Sequence, residues 1–222
     1  MSCPKTMCAM AVMLSLAPAA MAEPLVVLQY DMPNGGGQAS GGSLNYWDRN
    51  YTGSGSTTTD GAPLSGGVGK LVDGVVSTQV WNLVSNNEGT GDYVGWWIGT
   101  TPNPTITFSF AAGTTVDGIT VYLDNSQFGG VFAPQSIVID GIARDFVAPA
   151  AGTVGPVSFD GLALSGGTHT IQFVQAPASW TFVSEVVFDG SVVPEPGSLV
   201  LMTAGLAWLA GFATRRLRIS PA

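Results

Sequence analysis

Cysteine is almost missing from this sequence, and its position matters more than its number: of 222 residues only Cys3 and Cys8 carry a thiol, both ahead of Glu23. A chain that loses that leader has no disulfide, no thiolate metal site and no Cys nucleophile, so its core must hold itself together. Histidine is reduced to His169, which alternates in phase with Ile171 and Phe173 and so reads as a residue lining a sheet face rather than a base. Basic residues are equally sparse. Between Glu23 and Val193, fourteen carboxylates face only Arg49, Lys70 and Arg144, a net charge of −11. Such a surface repels phosphate backbones and excludes nucleic acid as a partner, leaving divalent cations and neutral polymers. No Gly-rich sequence follows a strand and opens a helix, so phosphate-cradling loops are absent too.

What is present begins with a leader. Met1 to Ala22 carries Lys5, an apolar run from Met7 to Ala17, a break at Pro18 and the small-x-small sequence Ala20-Met21-Ala22. This pattern predicts a secretory signal peptide, residues 1–22, cut before Glu23. Cys8 follows Lys5-Thr6-Met7 and lacks a lipobox, which argues against a lipoprotein.

At the other end, Val193-Pro194-Glu195-Pro196-Gly197-Ser198 leads into an uncharged run that closes with Arg215-Arg216-Leu217-Arg218. Residues 197–214 as a helix would reach about 27 Å at ~1.5 Å per residue, close to the hydrocarbon thickness of a bilayer. Arg215, Arg216 and Arg218 each cost about 2.5–3.5 kcal/mol to bury at a bilayer centre, so they would stop the helix with its tail on the cytoplasmic side. A buried core helix is the alternative, and such helices rarely end in an Arg cluster. Pro-Glu-Pro, an apolar helix and an Arg-rich tail together resemble the PEP-CTERM sorting signal, residues 194–218 here. The resemblance implies that exosortase, a membrane-embedded enzyme of Gram-negative bacteria, recognises Pro194, Glu195 and Pro196 and removes the helix. The protein is then expected to cross the inner membrane and to end at the cell surface or outside the cell.

The 171 residues of 23–193 suffice for one domain with a sizeable core. Gln38 to Gly69 is rich in Gly, Ser, Thr and Asn, yet holds Tyr46, Trp47 and Tyr51. It reads as long loops pinned by aromatic anchors, with a disordered linker as the alternative. From Lys70 on, strand patterns dominate: Thr105 to Phe110 alternates strictly, Gly118 to Leu123 repeats the pattern, and Ser136 to Ile139 runs into an Asp140-Gly141 turn. Thr168 to Val174 and Trp180 to Phe188 complete the set, the last closed by Asp189-Gly190. Strand-length runs without a 3.6-residue period predict an all-β fold, an antiparallel β-sandwich of jelly-roll type.

Two separated stretches carry a second resemblance. Lys70-Leu71-Val72-Asp73-Gly74-Val75-Val76-Ser77-Thr78, with Trp81 and Trp96-Trp97 after it, resembles the opening of discoidin-like, galactose-binding-like domains; Trp180 to Phe188, with Ser184-Glu185-Val186, resembles their closing strand. The likeness runs from about residue 70 to 190. It implies a structural Ca²⁺ held by the carboxylates of Asp73 and Glu185, by Thr78, and by the backbone carbonyls of Lys70 and Val75. Carboxylate and carbonyl oxygens are the donors Ca²⁺ takes, and a Gly after the Asp permits the sharp loop they need. The plainer reading makes Asp73-Gly74 a turn and Glu185 a solvated edge residue.

The resemblance also implies shallow sugar sites in loops, where an aromatic face stacks on a pyranose and an amide reads its hydroxyls. Trp47, Trp96, Trp97, Asn125 and Phe128 are the residues suited to that work, although one of Trp96 and Trp97 must face the core because adjacent strand residues point oppositely. Asp92, Asp124, Asp140 and Asp145 are the carboxylates from which a glycoside-hydrolysing pair could be drawn, and no motif selects one. The sequence therefore leads to an exported, exosortase-sorted surface or matrix protein with a non-catalytic module that binds extracellular polysaccharide. A structural matrix or adhesion protein is the first alternative and a carbohydrate-active enzyme the second.

Overall fold

The computed structural model describes residues 23–37 and 42–193. The predicted leader (1–22), the Pro194-Glu195-Pro196 motif, the span 197–214 and the Arg tail lie outside the described residues. Within them, no helix is long and apolar enough to cross a membrane.

All named strand pairs are antiparallel. In chain order the strands are β1 (Glu23–Pro24), β2 (Gln29–Pro33), β3 (Pro63–Gly67), β4 (Val94–Trp97), β5 (Thr105–Ser109) and β6 (Thr114–Asn125). They continue with β7 (Ser136–Ile139), β8 (Ile142–Arg144), β9 (Thr153–Phe159), β10 (Leu164–Ser165), β11 (Thr168–Val174) and β12 (Trp180–Val192). One sheet runs β3-β2-β5-β11-β7-β8. The other is built on the long β6–β12 pair; β4 and β1 flank β12, and β9 and β10 flank β6. The helical elements named among the described residues are a 3-10 turn at Lys70–Val72 and one α-turn at Trp81–Val84.

The five strand patterns in the sequence fall on β5, β6, β7, β11 and β12. Ile106 and Phe108 of β5, Ile171 and Phe173 of β11, and Val121, Val186 and Phe188 of the opposite sheet close one core between the sheets. Each such side chain contributes about 1.5–3 kcal/mol on burial. Asp140 and Gly141 both have positive φ (47° and 78°), the geometry of a two-residue Asp-Gly hairpin turn between β7 and β8. β12 does not close at Asp189-Gly190: it passes an irregularity there and pairs with β6 as far as Val192↔Thr114.

The Gly/Ser/Thr-rich stretch is ordered over 42–69, and the linker alternative does not hold there. Tyr46 is fully buried, Tyr51 packs its ring on Tyr30 at 5.2 Å, and residues 63–67 form β3 on the edge of a sheet. Three strands have no clear pattern in the sequence for physical reasons. β3 reads Pro-Leu-Ser-Gly-Gly, β4 contains Gly95, and β9 contains Pro156, which an edge strand tolerates because it needs no second row of donors.

Candidate functional site

β12 has two ends with different chemistry, and the aromatic end is built by alternation. In β4, Val94 and Trp96 point into the main core; Trp96 is 0% exposed, stacks on Phe173 at 6.1 Å and donates its Nε1–H to the Pro33 carbonyl at 2.8 Å. Gly95 and Trp97 therefore face outward. Phe182, opposite Gly95 on β12, lays its ring over that glycine, where a Cβ would sit 2.0 Å from a ring carbon. Trp97, opposite Trp180, packs on it at 5.7 Å.

Loops then fold back over this outer face and make a second core from Tyr46, Trp81, Tyr93, Val131 and Phe182, with Trp180 packed against it. Tyr46 is its centre, with ring centroids 4.2 Å from Phe182 and 5.9 Å from Trp81. Gly36 and Gly37 pass so close to Trp180 and Trp47 that added Cβ atoms would lie 2.8 Å and 1.8 Å from the two indoles. Asp60 accepts hydrogen bonds from both Trp47 Nε1 and the Gly37 N–H at 2.7 Å, which fixes Trp47 at the rim. On the far side, Phe128 is 61% exposed and stacks on Trp81 at 5.8 Å and 22°, while Trp81 Nε1 donates to the Phe128 carbonyl. Asp124 holds the Trp81 turn by accepting the N–H groups of Trp81 (2.7 Å) and Ser126 (2.6 Å); burial holds its carboxyl above the usual range.

Of the five residues suited to sugar contact, the structure brings Trp47, Trp97 and Phe128 to one end, linked through Tyr46, Trp180 and Trp81. Trp47 and Trp97 are partly exposed there. Two are corrected. Trp96 is sealed in the core. Asn125 is buried, and its amide is spent on the fold: Nδ2 donates to the Pro149 carbonyl and Oδ1 accepts the Ala133 N–H. The supporting residues Trp180 and Tyr46 were not legible as a site in the sequence; the outward phase of Trp180 and Phe182 in β12 was the signal for them.

Of the residues suited to Ca²⁺, Asp73 and Glu185 line one cleft halfway along β12. The 3-10 turn delivers Asp73-Gly74, and the Gly74 N–H donates to Glu185 Oε2 at 3.2 Å; further on, the Ser77 N–H donates to Ser184 Oγ. Glu185 is 4% exposed, and burial, then the negative charge of Asp73, push its carboxyl up to about 8. Burial also raises Asp73, whose Oδ1 accepts the Val75 N–H at 2.9 Å. The two acids face a cleft of about 420 Å³ closed on its other side by Pro24 to Val27. Thr78 and Val75 are exposed on the same loop. Among the described residues no group of three His, Cys, Asp or Glu side chains converges, so a cation here would draw on two carboxylates plus carbonyl oxygens. Two neighbouring carboxyls, both raised by burial and one of them also by the charge of the other, are a donor set that a hard cation suits.

Lys70 has a role the sequence does not reveal. Its side chain turns inward, is 1% exposed, and donates Nζ–H bonds to the carbonyls of Trp47 (3.0 Å), Gly89 (2.5 Å) and Tyr93 (3.3 Å). Burial brings its pKa down to about 8 against the pull of Asp48. Asp48, also fully buried, accepts the Lys70 N–H at 3.1 Å and the Tyr30 hydroxyl. His169 lines the sheet face with Ile171 and Phe173; its Nδ1 lies 2.7 Å from Asp140 Oδ2, and Asp140 Oδ1 takes the Thr170 N–H.

A sandwich with one aromatic loop end and a loop tied to its last strand belongs with the discoidin-like domains. Residues 26–140, more than half of the chain, match the model for the discoidin domain-containing receptor 1/2, DS-like domain, and the chain belongs to that family. Residues 192–218 match the PEP-CTERM protein-sorting motif, which indicates export and sorting to the surface or exterior of a Gram-negative bacterium. No curated protein matches the chain. Among solved structures, a chain of the Streptococcus pneumoniae beta-galactosidase BgaA is 19% identical, covering 54% of this chain and 82% of that one, with a TM-score of 0.37. Truncated AlyQ with CBM32 and alginate lyase domains is 12% identical (79% of this chain, 35% of that one, TM-score 0.42). The CBM32 of AlyQ in complex with 4,5-unsaturated mannuronic acid is 16% identical (54% and 82%, TM-score 0.31). These likenesses are too distant to bear on ligand or activity.

Proposed function

We propose that this protein is an exosortase-sorted surface or matrix protein whose sandwich is a non-catalytic binding module for a neutral extracellular polysaccharide. The observation that carries the reading is the aromatic end. Trp97 and Phe128 are held from behind by Trp180 and Trp81, so their faces are offered to solvent without the entropy cost of ordering them on binding. The −11 charge between Glu23 and Val193 favours a neutral over an anionic chain.

We further propose a structural Ca²⁺ at Asp73 and Glu185, with Thr78 and the carbonyls of Lys70 and Val75 as its remaining donors. The ion would supply positive charge where two raised carboxyls meet, and the protein's part is to hold the 73–78 loop on β12. The test of function is a glycan array probed with the exported protein and with its Trp97→Ala and Phe128→Ala variants. Binding lost in both variants, with unchanged melting, supports the module. No glycan bound by the parent protein would overturn it in favour of a matrix protein, and hydrolysis of a bound glycan would overturn the non-catalytic assignment.

A further inference from the structure

β12, 13 residues long, carries the aromatic end at Trp180 and the far end at Val192. At ~3.3 Å per residue the two ends are about 40 Å apart. The far end is fastened to the last residue before the sorting motif. Gly190, Ser191 and Val192 pair with Val116, Thr115 and Thr114, and the Val193 N–H donates to the Gly113 carbonyl at 2.9 Å. Two glycines permit this closeness. Gly113 sits at φ +77°, and a Cβ on it would lie 2.3 Å from the Val193 oxygen; a Cβ on Gly190 would lie 2.0 Å from the Thr115 oxygen. β1 reinforces the same spot, since Glu23 pairs with Gly190 and Pro24 with Asp189. The strand is thus pinned on both sides at Asp189 and Gly190 and on the β6 side as far as Val193, and Pro194 of the motif is the next residue in the chain. No spacer separates the folded domain from its sorting signal.

An enzyme embedded in the membrane must take the residues around its recognition motif into its own site as extended chain. Here the residues just ahead of Pro194 already have partners in the domain. We propose that the tip of β12, residues 190–193 clamped by Gly113 to Val116 and by β1, gates the sorting step: the processing enzyme reaches Pro194-Glu195-Pro196 only when this tip opens, and the domain's base is the surface it meets. The inference rests on the exosortase-substrate reading and adds a regulated step to it. It also sets orientation, because the aromatic end then lies at the opposite pole from the enzyme and the bilayer.

The experiment follows processing of the full-length chain by pulse-chase and intact mass in an exosortase-bearing Gram-negative host. Thr114→Cys with Val192→Cys places two thiols on directly opposed residues of an antiparallel pair, within disulfide reach, and no other thiol lies beyond Cys8 to compete. The oxidised tip should be processed about tenfold more slowly, the factor set by a local opening cost of about 1.4 kcal/mol, and reduction should restore the parent rate. A flexible Gly-Ser spacer of about six residues between Val193 and Pro194 should speed processing, and it tests the gate even where the cysteine pair fails to export. Parent-like rates for the spacer variant and the oxidised pair would overturn the gate. Replacing Pro194, Glu195 and Pro196 with Ala separates the two levels. If that change abolishes processing while spacer and lock have no effect, only the gate is wrong; if it leaves processing unchanged, the sorting reading falls and the gate with it.

Discussion

The Gly74 N–H and the Glu185 carboxylate, 111 residues apart in the chain, are joined by a hydrogen bond of 3.2 Å. That contact closes the opening loop of the domain onto its last strand, and it is where an ion would act as a clip. Ion binding to the folded state alone adds about 2.7 kcal/mol at a hundredfold excess over Kd, or roughly 5–10 °C for a domain of this size. The exported protein should therefore melt higher in millimolar Ca²⁺ than in EDTA. Asp73→Ala and Glu185→Ala should each remove most of that response, and the double variant little more, because both act on one site. Superimposable melting curves, with no calcium in the purified protein, would leave Asp73-Gly74 as a turn.

Lys70→Met should be among the most damaging single changes. It keeps the aliphatic stem but removes the donor that three carbonyls from two loops share, leaving buried acceptors unsatisfied at about 1–3 kcal/mol apiece in the worst case. Chemical denaturation should show a loss of at least about 2 kcal/mol, with the Trp47 and Gly89 loops becoming the first sites of proteolysis. A variant as stable as the parent would show that the ammonium is not what holds those loops.

The adjacent tryptophans should separate stability from binding. Trp96→Ala opens a cavity in the main core and should cost about 3–5 kcal/mol. Trp97→Ala removes a partly exposed ring on the outer face and should cost much less, while abolishing retention on the bound glycan. Equal losses of stability in the two variants would contradict the opposed facing of the pair in β4.

Asp124 gives a pH signature at the aromatic end. Its folded-state carboxyl lies above the usual range because of burial, so the folded protein holds a proton that the unfolded chain has already released. The contribution of Asp124 to stability is then largest in acid and declines as pH rises past the ordinary carboxylate value of about 4. Asp124→Asn keeps one acceptor oxygen, enough for one of the Trp81 and Ser126 N–H groups that the two carboxylate oxygens now accept, and removes the titration. Denaturation midpoints measured from about pH 4 to 7 should fall less steeply in the variant than in the parent; the same slope in both would show that Asp124 does not titrate in that range.

What the sequence reveals here follows from how far each signal reaches. Thr105 to Ser109, Thr168 to Val174 and the Asp140-Gly141 turn were legible because alternation and turn chemistry are local. The opposed facing of Trp96 and Trp97 was legible as a rule; which one faces inward was not, since that depends on the phase of β4 against β12. Asn125 looked available because its partners, Pro149 and Ala133, belong to other loops. For Lys70 the family pattern points only to the backbone carbonyl; its side-chain role was not legible for the same reason, because only the arrival of Trp47, Gly89 and Tyr93 makes a cage for its ammonium. Asp73 and Glu185 were matched by family pattern rather than by spacing, and the fold sets both on one cleft, with Gly74 bonded to Glu185 across 111 residues.

The position of β12 also fixes a sequence of events in time. It is the strand that β1, β4 and β6 all pair with, yet it is the last of the twelve to be made. A chain threading through a membrane from its N-terminal end would present β6 and β4 as open edges until Trp180 to Val192 emerged, and it could not complete its second sheet before then. Folding on the far side is thus deferred almost to the moment when the residues behind Val193 reach the membrane. Export, closure of the sheet and sorting are ordered by the placement of one strand, with no separate timer.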